Sequence, residues 1–224
     1  MSGSLFTLEH SPTYVLYRSG CATWPAFWTV AGQNWPQKGE IDIVEGVNKQ
    51  TNNRMTLHTA PGCTLDTSAP PAPTNSLAFL GKVLSPTCNA LVDSNSGCGV
   101  MDPNANSFGA GVASGGGAVF AMLWDSVGIR VWHFDRSNTP ADLTAFAPNP
   151  STWPAPSAFW STATCSMDQF FGEHTIVINT ALCGDFAGGA YPSSGCPGTC
   201  AEHVADPGNF QDAKWKINYV ATFH

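Results

Sequence analysis

The sequence predicts an all-β fold of packed antiparallel sheets. Three observations point to it. Short runs rich in Val, Ile, Thr and aromatic residues recur along the chain, bounded by Gly, Pro and Asn. The 224 residues include 22 Gly and 17 Pro, a loop-rich composition foreign to helical bundles. Only 11% are Asp, Glu, Lys or Arg while 43% are hydrophobic, so few charges need solvating and a substantial core can be filled.

The elements follow in order. Strands are expected at 14–18, 26–30, 40–44 and 54–59, then at 118–124, 129–134, 175–179 and 216–222. Their spacing suits antiparallel sheets, not alternating strand–helix units. Between them, 61–89 holds one strand-like patch and few charges and reads as a long loop, stapled by Cys63, Cys88 or Cys98. The Gly-rich run 108–117 reads as a turn into the next strand. One short helix is expected after Thr139, with that residue as its cap and Pro140 at the first position. No repeat and no linker interrupts the pattern, so residues 1–224 are read as a single domain, a size that all-β sandwiches reach undivided.

Charge and cysteines narrow the function classes. The net charge is −7 with nine scattered Lys and Arg, which disfavours nucleic acid, since phosphate binding needs clustered cations. No apolar run reaches the length of a membrane span. Eight cysteines, an even number in a neutral-polar chain, point to disulfides and an oxidising compartment. A zinc site is disfavoured, because there is no C-x-x-C and Cys196 and Cys200 have no second close pair. The first ten residues do not form a signal peptide: a basic start and apolar stretch are missing.

The chemistry is concentrated in Glu40-Ile41-Asp42-Ile43-Val44-Glu45. Three acids interrupt an Ile/Val strand. A solvated edge or a calcium-binding segment would also place acids there, but an edge leaves Ile41, Ile43 and Val44 an odd apolar set. Side chains alternate along a strand, so Glu40 and Asp42 share one face and Glu45 falls on the other. A bulge at Ile43-Val44 inserts one residue and brings Glu45 back. The two glutamates are then an effective four residues apart, roughly 13 Å at about 3.3 Å per step. By leaning inward, their carboxyls can approach the roughly 5–5.5 Å required of a retaining glycosidase. One acid attacks the anomeric carbon; the other protonates the leaving oxygen and then activates water. Asp42 can hydrogen-bond Glu40, and its charge can raise a neighbour's pKa. Which glutamate takes which role stays open on these grounds.

Aromatic rings stack on the C–H faces of sugars. Trp24, Trp28 and Trp35 precede the acidic strand, and each reads equally as a core residue or as a sugar platform. Trp132 and Trp215 lie in alternating apolar strands and read as core. His58 lies in the run after the acidic strand, where a hairpin would set its imidazole beside the carboxylates.

Trp24-Pro25-Ala26-Phe27-Trp28, then Gly39 through Asn48 around the acids, then Met55-Thr56-Leu57-His58-Thr59, resemble glycoside hydrolase family 16, nearest its fungal laminarinase-like endo-β-1,3(4)-glucanases. Gly97-Cys98-Gly99-Val100, Ile129-Arg130-Val131-Trp132, Cys183-Gly184-Asp185, Cys196 through Cys200 and Trp215 through Tyr219 agree with that subgroup. The resemblance implies a concanavalin-like β-jelly-roll sandwich with long disulfide-stapled loops and a cleft on its concave sheet. It implies retaining endo-hydrolysis of β-1,3- or mixed β-1,3/1,4-glucan, with Glu40 as nucleophile, Glu45 as acid/base and Asp42 assisting. Trp24, Trp28, Trp35, His58 and Phe186 become substrate-binding residues. The expected partner is a β-glucan polysaccharide, with no nucleic acid and no membrane, and the expected state is an extracellular monomer. No cofactor is expected; some relatives carry a structural calcium, but no ligand set stands out here. Three departures accompany the resemblance. The leading strands usual in the family are missing before Tyr14. Phe186 stands where relatives usually have Trp in Cys-Gly-Asp-Trp. Leu123 stands where they usually have Glu. These departures keep two rivals in view: a catalytically weak glucan-binding module and a transglycosylase.

Overall fold

The computed structural model describes residues 4–9, 19–68 and 78–223. Eleven strands are assigned in these segments: β1 Ser4–Glu9, β2 Thr23–Val30, β3 Glu40–Glu45, β4 Arg54–His58, β5 Lys82–Val83, β6 Cys98–Met101, β7 Ala118–Asp125, β8 Gly128–Asp135, β9 Ala158–Ser161, β10 Thr175–Leu182 and β11 Tyr219–Phe223. They form two antiparallel sheets. The five-stranded one has the order β11-β1-β7-β8-β9, the six-stranded one β10-β2-β3-β4-β6-β5. Non-sequential neighbours in both sheets mark the crossovers of a jelly roll.

Each sheet turns an apolar face toward the other. Phe27, Ile41, Met55, Leu57 and Val100 from the larger sheet share a core with Phe120, Met122, Ile129, Val131 and Trp160 from the smaller. Burying a side chain of this size stabilises by about 1.5–3 kcal/mol, so this layer is the principal source of cohesion. Trp132 is buried as expected, but in a second cluster with Val119, Phe134 and Trp153 on the outer side of the smaller sheet. There its indole donates to Pro154 O at 2.9 Å.

Four disulfides join Cys21 to Cys196, Cys63 to Cys165, Cys88 to Cys98 and Cys183 to Cys200. The long loop is therefore stapled at both ends, its residues 69–77 lying outside the described ones.

Several local expectations need correction. β1 forms in a segment to which no strand was assigned, and the expected strand at 14–18 lies outside the described residues. β5, β6 and β9 are further additions. The 108–117 run holds a short helix, Ala110–Ser114, before its turn. Pro140, not Thr139, takes the cap position of the helix Ala141–Thr144; the Thr139 hydroxyl instead donates to Asp135 O. Trp215 precedes β11 and is only partly buried; its indole donates to Asn179 O at 3.0 Å and Thr180 Oγ1 at 3.2 Å.

Candidate active site

The outer face of the six-stranded sheet carries the acids, and the bulge puts them there. On β2, Phe27 pairs with Val44 and Trp28 with Asp42, so Ile43 is the extra residue. Against β4, Asp42 faces Thr56 and Glu45 faces Arg54, three steps against two. Ile43 and Val44 both turn into the core. Glu40, Asp42 and Glu45 consequently emerge on one face, beside Trp24, Ala26 and Trp28 of β2 and Asn179 and Ala181 of β10. Together these residues line a cavity of about 270 Å³. Gly46 lets the chain leave the strand over Phe108, where a Cβ would lie 2.5 Å from the ring.

A second cavity of about 380 Å³ shares Trp24, Glu40 and Glu45 with the first and extends over Arg54, His58, residues 94–96, Asp185 and Phe186. The two glutamates thus stand at the junction of two hollows.

Each acid has named partners. Trp35 Nε1 donates to Glu40 Oε2 at 2.6 Å, and Trp24 Nε1 donates to Glu45 Oε1 at 2.9 Å. Glu40 and Asp42 share a side-chain hydrogen bond. His58 Nε2 lies 3.2 Å from Asp42 Oδ2, and its Nδ1 lies 2.8 Å from Asn95 Oδ1. The backbone N–H of Glu45 is fixed by Asn53 Oδ1 at 3.0 Å.

Burial dominates the electrostatics. It raises Glu40 from 4.5 to about 8, aided by the Asp42 charge and opposed by His58 and the Trp35 hydrogen bond. It also lifts Asp42 well above the carboxylate range, with Glu45 adding and the bond to Glu40 and Arg54 opposing. Glu45 is raised by burial as well, against Arg54 first and then Trp24. Three carboxyls this close cannot all ionise, and the cluster titrates as a unit. Glu40, Asp42 and His58 also place one ligand atom each within 4.8 Å of one another, a set able to hold a cation.

Every predicted site residue reaches this face. Trp24 and Trp35 are half-buried or exposed hydrogen-bond donors to the acids, not core residues. Trp28 lies half-exposed at the β10 side and donates to Asn179 Oδ1 at 3.3 Å. Phe186 meets the Trp24 ring edge-on at 5.6 Å and lies beneath the Arg54 guanidinium at 5.3 Å. Sequence reasoning missed Arg54, Asn95, Asp185 and Asn179. Only Arg54 carried a usable signal: it is the residue that a bulge-corrected hairpin sets opposite Glu45.

Compared with known proteins, residues 8–223 match the family described as "XgeA-like, catalytic GH16 domain". A probable glycosidase of Schizosaccharomyces pombe is 42% identical over 208 residues, 91% of this chain and 48% of the relative. An endo-1,3(4)-beta-glucanase of Arthroderma benhamiae is 38% identical over 213 residues, 91% of this chain and 44% of the relative. The chain thus spans about half the length of these relatives. Among solved structures, GH16 laminarinase 16A from Phanerochaete chrysosporium, holding 6-O-glucosyl-laminaritriose in donor and acceptor sites, superposes with TM-score 0.87 at 35% identity, covering 99% of this chain and 72% of that one. An elongating GH family 16 β-1,3-glucosyltransferase superposes with TM-score 0.83 at 33% identity, covering 98% of this chain and 72% of that one.

Proposed function

The chain belongs to glycoside hydrolase family 16, and we propose that it is a retaining endo-glycosidase of β-1,3- or mixed β-1,3/1,4-glucan. The observation that carries this reading is the β3 bulge, which turns Glu45 to the face of Glu40. Without it the two acids would lie on opposite sides of the sheet and could not act on one sugar ring.

Glu40 is the nucleophile and Glu45 the acid/base. In the first step Glu45 gives its proton to the leaving glycosidic oxygen while the Glu40 carboxylate attacks the anomeric carbon. In the second, Glu45 takes a proton from water, which displaces Glu40. The buried position of Glu45 keeps it protonated to a higher pH than an exposed glutamate, as the first step needs. Glu40 must instead be ionised, and the Trp35 N–H favours its anion. Asp42 assists by exchanging a proton with Glu40. These steps need no cofactor. Trp24, Trp28, Trp35, His58 and Phe186 hold the glucan across the two hollows. The four disulfides support an extracellular setting.

The test is reducing-sugar release from laminarin, lichenan and carboxymethyl-cellulose, with Glu40→Gln as control. Cleavage of the first or second, abolished by the substitution, supports the reading; glucan retention in an affinity gel without cleavage overturns it. A second reading, transglycosylation, is favoured by the likeness to an elongating glucosyltransferase; products longer than the substrate would identify it.

A further inference from the structure

One side chain spans the place where β3 changes parity. Asp42 pairs with Thr56 and Glu45 with Arg54, so Ile43 and Val44 together oppose the single Met55 of β4. A bulge interrupts the ladder at that point, and buried backbone groups beside it need partners. Asn53, the residue before β4, is fully buried. Its Nδ2 donates to Ile43 O at 2.9 Å, and its Oδ1 accepts from the Glu45 N–H at 3.0 Å. The amide is planar and rigid, so it ties the carbonyl of the extra residue to the N–H of Glu45 at a fixed separation. In an unbulged strand the Glu45 side chain would point into the core.

The side chain at this position needs one donor and one acceptor within a short reach. Asparagine has both; ionised aspartate only accepts, and serine and threonine offer a single oxygen. Asn53 is itself held on its other side. Its N–H donates to Ser107 Oγ at 2.8 Å, and its carbonyl accepts from the Asp102 N–H at 2.8 Å. Ser107 Oγ donates onward to Asn104 O at 2.7 Å, and Asp102 Oδ2 accepts from Ser157 Oγ at 2.7 Å. Ser107 and Asp102 are buried. The same segment carries Phe108, whose ring closes on Gly46 directly after Glu45 and whose N–H donates to Thr51 O at 2.9 Å. Residues 102–108 therefore buttress the bulge from below, through Asn53 before it and Phe108 after it.

We propose that Asn53 is a positioning residue for Glu45: its amide locks the β3 bulge and so sets the acid/base carboxyl on the face of Glu40. Asn53 touches no substrate; it acts through the backbone of residues 43–45. A site of this kind works only while its carboxyl is held close to the productive geometry by residues behind it.

The proposal rests on the glycosidase reading for its kinetic test only. Asn53→Ala removes both amide bonds. Hydrogen exchange of the purified protein, followed by NMR, reads the bulge directly. The Glu45 N–H is expected to be protected in the wild type and to exchange at least about tenfold faster in Asn53→Ala, a larger factor than at Ile41 in the same strand. On laminarin, Asn53→Ala should lower kcat/KM about 10²-fold, through kcat, with KM within about twofold of wild type. On an aryl β-laminaribioside whose nitrophenolate leaves without a proton, kcat/KM should fall less than about threefold. A residue that only holds the fold would lower both substrates alike. Equal losses on the two substrates overturn the proposal, as does a Glu45 N–H whose exchange is unchanged by the substitution or already as fast as an exposed loop amide in the wild type. If the wild type cleaves neither substrate, the glycosidase reading fails and the exchange rates alone decide. If Asn53→Ala does not fold, Ser107→Ala, which keeps the amide but frees the Asn53 backbone, decides by the same two measurements, with a loss on laminarin of about tenfold expected.

Discussion

Glu40→Gln should stabilise this protein, and more so as pH rises. Burial lifts Glu40 from 4.5 to about 8. Below 4.5 the folded and unfolded chains both hold the proton, and the group makes no difference between them. Between 4.5 and 8 the unfolded chain has released it while the folded chain retains it, so folding stability falls with rising pH across this window. Taken whole, a shift of this size corresponds to about 5 kcal/mol. Asp42 interacts with the same carboxyl and the side chain is partly exposed, so about 2 kcal/mol is expected of Glu40 alone. Glutamine cannot titrate and escapes the loss. Wild type and variant should therefore melt close together at pH 4.5, and the variant about 4–8 °C higher at pH 8. Chemical or thermal unfolding at pH 4.5, 6 and 8 measures the gap. A gap that stays constant or shrinks over this range would refute the assignment of a buried, proton-holding Glu40.

Three further outcomes are expected. Glu45→Gln should reduce turnover of glucan about 10²–10⁴-fold, yet spare an aryl glucoside whose phenolate leaves without protonation; equal losses on both substrates would deny Glu45 the acid role. Trp24→Phe removes the indole N–H at 2.9 Å that favours the Glu45 anion, so Glu45 should hold its proton more tightly and the alkaline limb of kcat/KM should move to higher pH in a rate profile. Replacing Cys63 and Cys165 together by Ser opens a bridge spanning 102 residues, which by chain entropy lowers stability by about 4–5 kcal/mol; a melting temperature lowered by roughly 10 °C or more is the expected reading.

What could be read of the fold from sequence follows from strand length and residue type. β2, β3, β4, β7, β8 and β10 were legible because each runs for five to eight residues that are largely apolar or β-branched. β6 is Cys-Gly-Val-Met and β9 is Ala-Phe-Trp-Ser; four residues show too little of a period, and the first holds a glycine. β5 has two residues and exists only because β6 offers it an edge. The helix Ala110–Ser114 was hidden by its glycines, which read as a turn until Phe108 is buried in the core and fixes the chain's path.

The site divides along a different line. The acids were legible because charge in an apolar strand is costly and because the parity break between Asp42 and Glu45 has few structural explanations. Their surroundings were legible only in part: Trp35, His58 and Phe186 stood out through the family resemblance and Arg54 could be placed opposite Glu45, but each neighbour arrives from elsewhere, Trp35 from the β2–β3 connection, Arg54 from β4, Asn95 from a turn anchored by Cys88–Cys98, Phe186 from the helix Gly184–Ala190 held by Cys183–Cys200. This separation has a physical reason. A strand can present three carboxyls to one hollow, but it cannot also supply the donors that keep them from repelling one another, since its own neighbouring side chains point into the core. The compensating groups must come from other elements, and an element that carries one must be fixed against the sheet for the compensation to hold. The bridges at 88–98 and 183–200 each hold such a segment at the rim of the hollow lined by Glu40 and Glu45. They therefore bear on the protonation of the acids as well as on the stability of the sandwich.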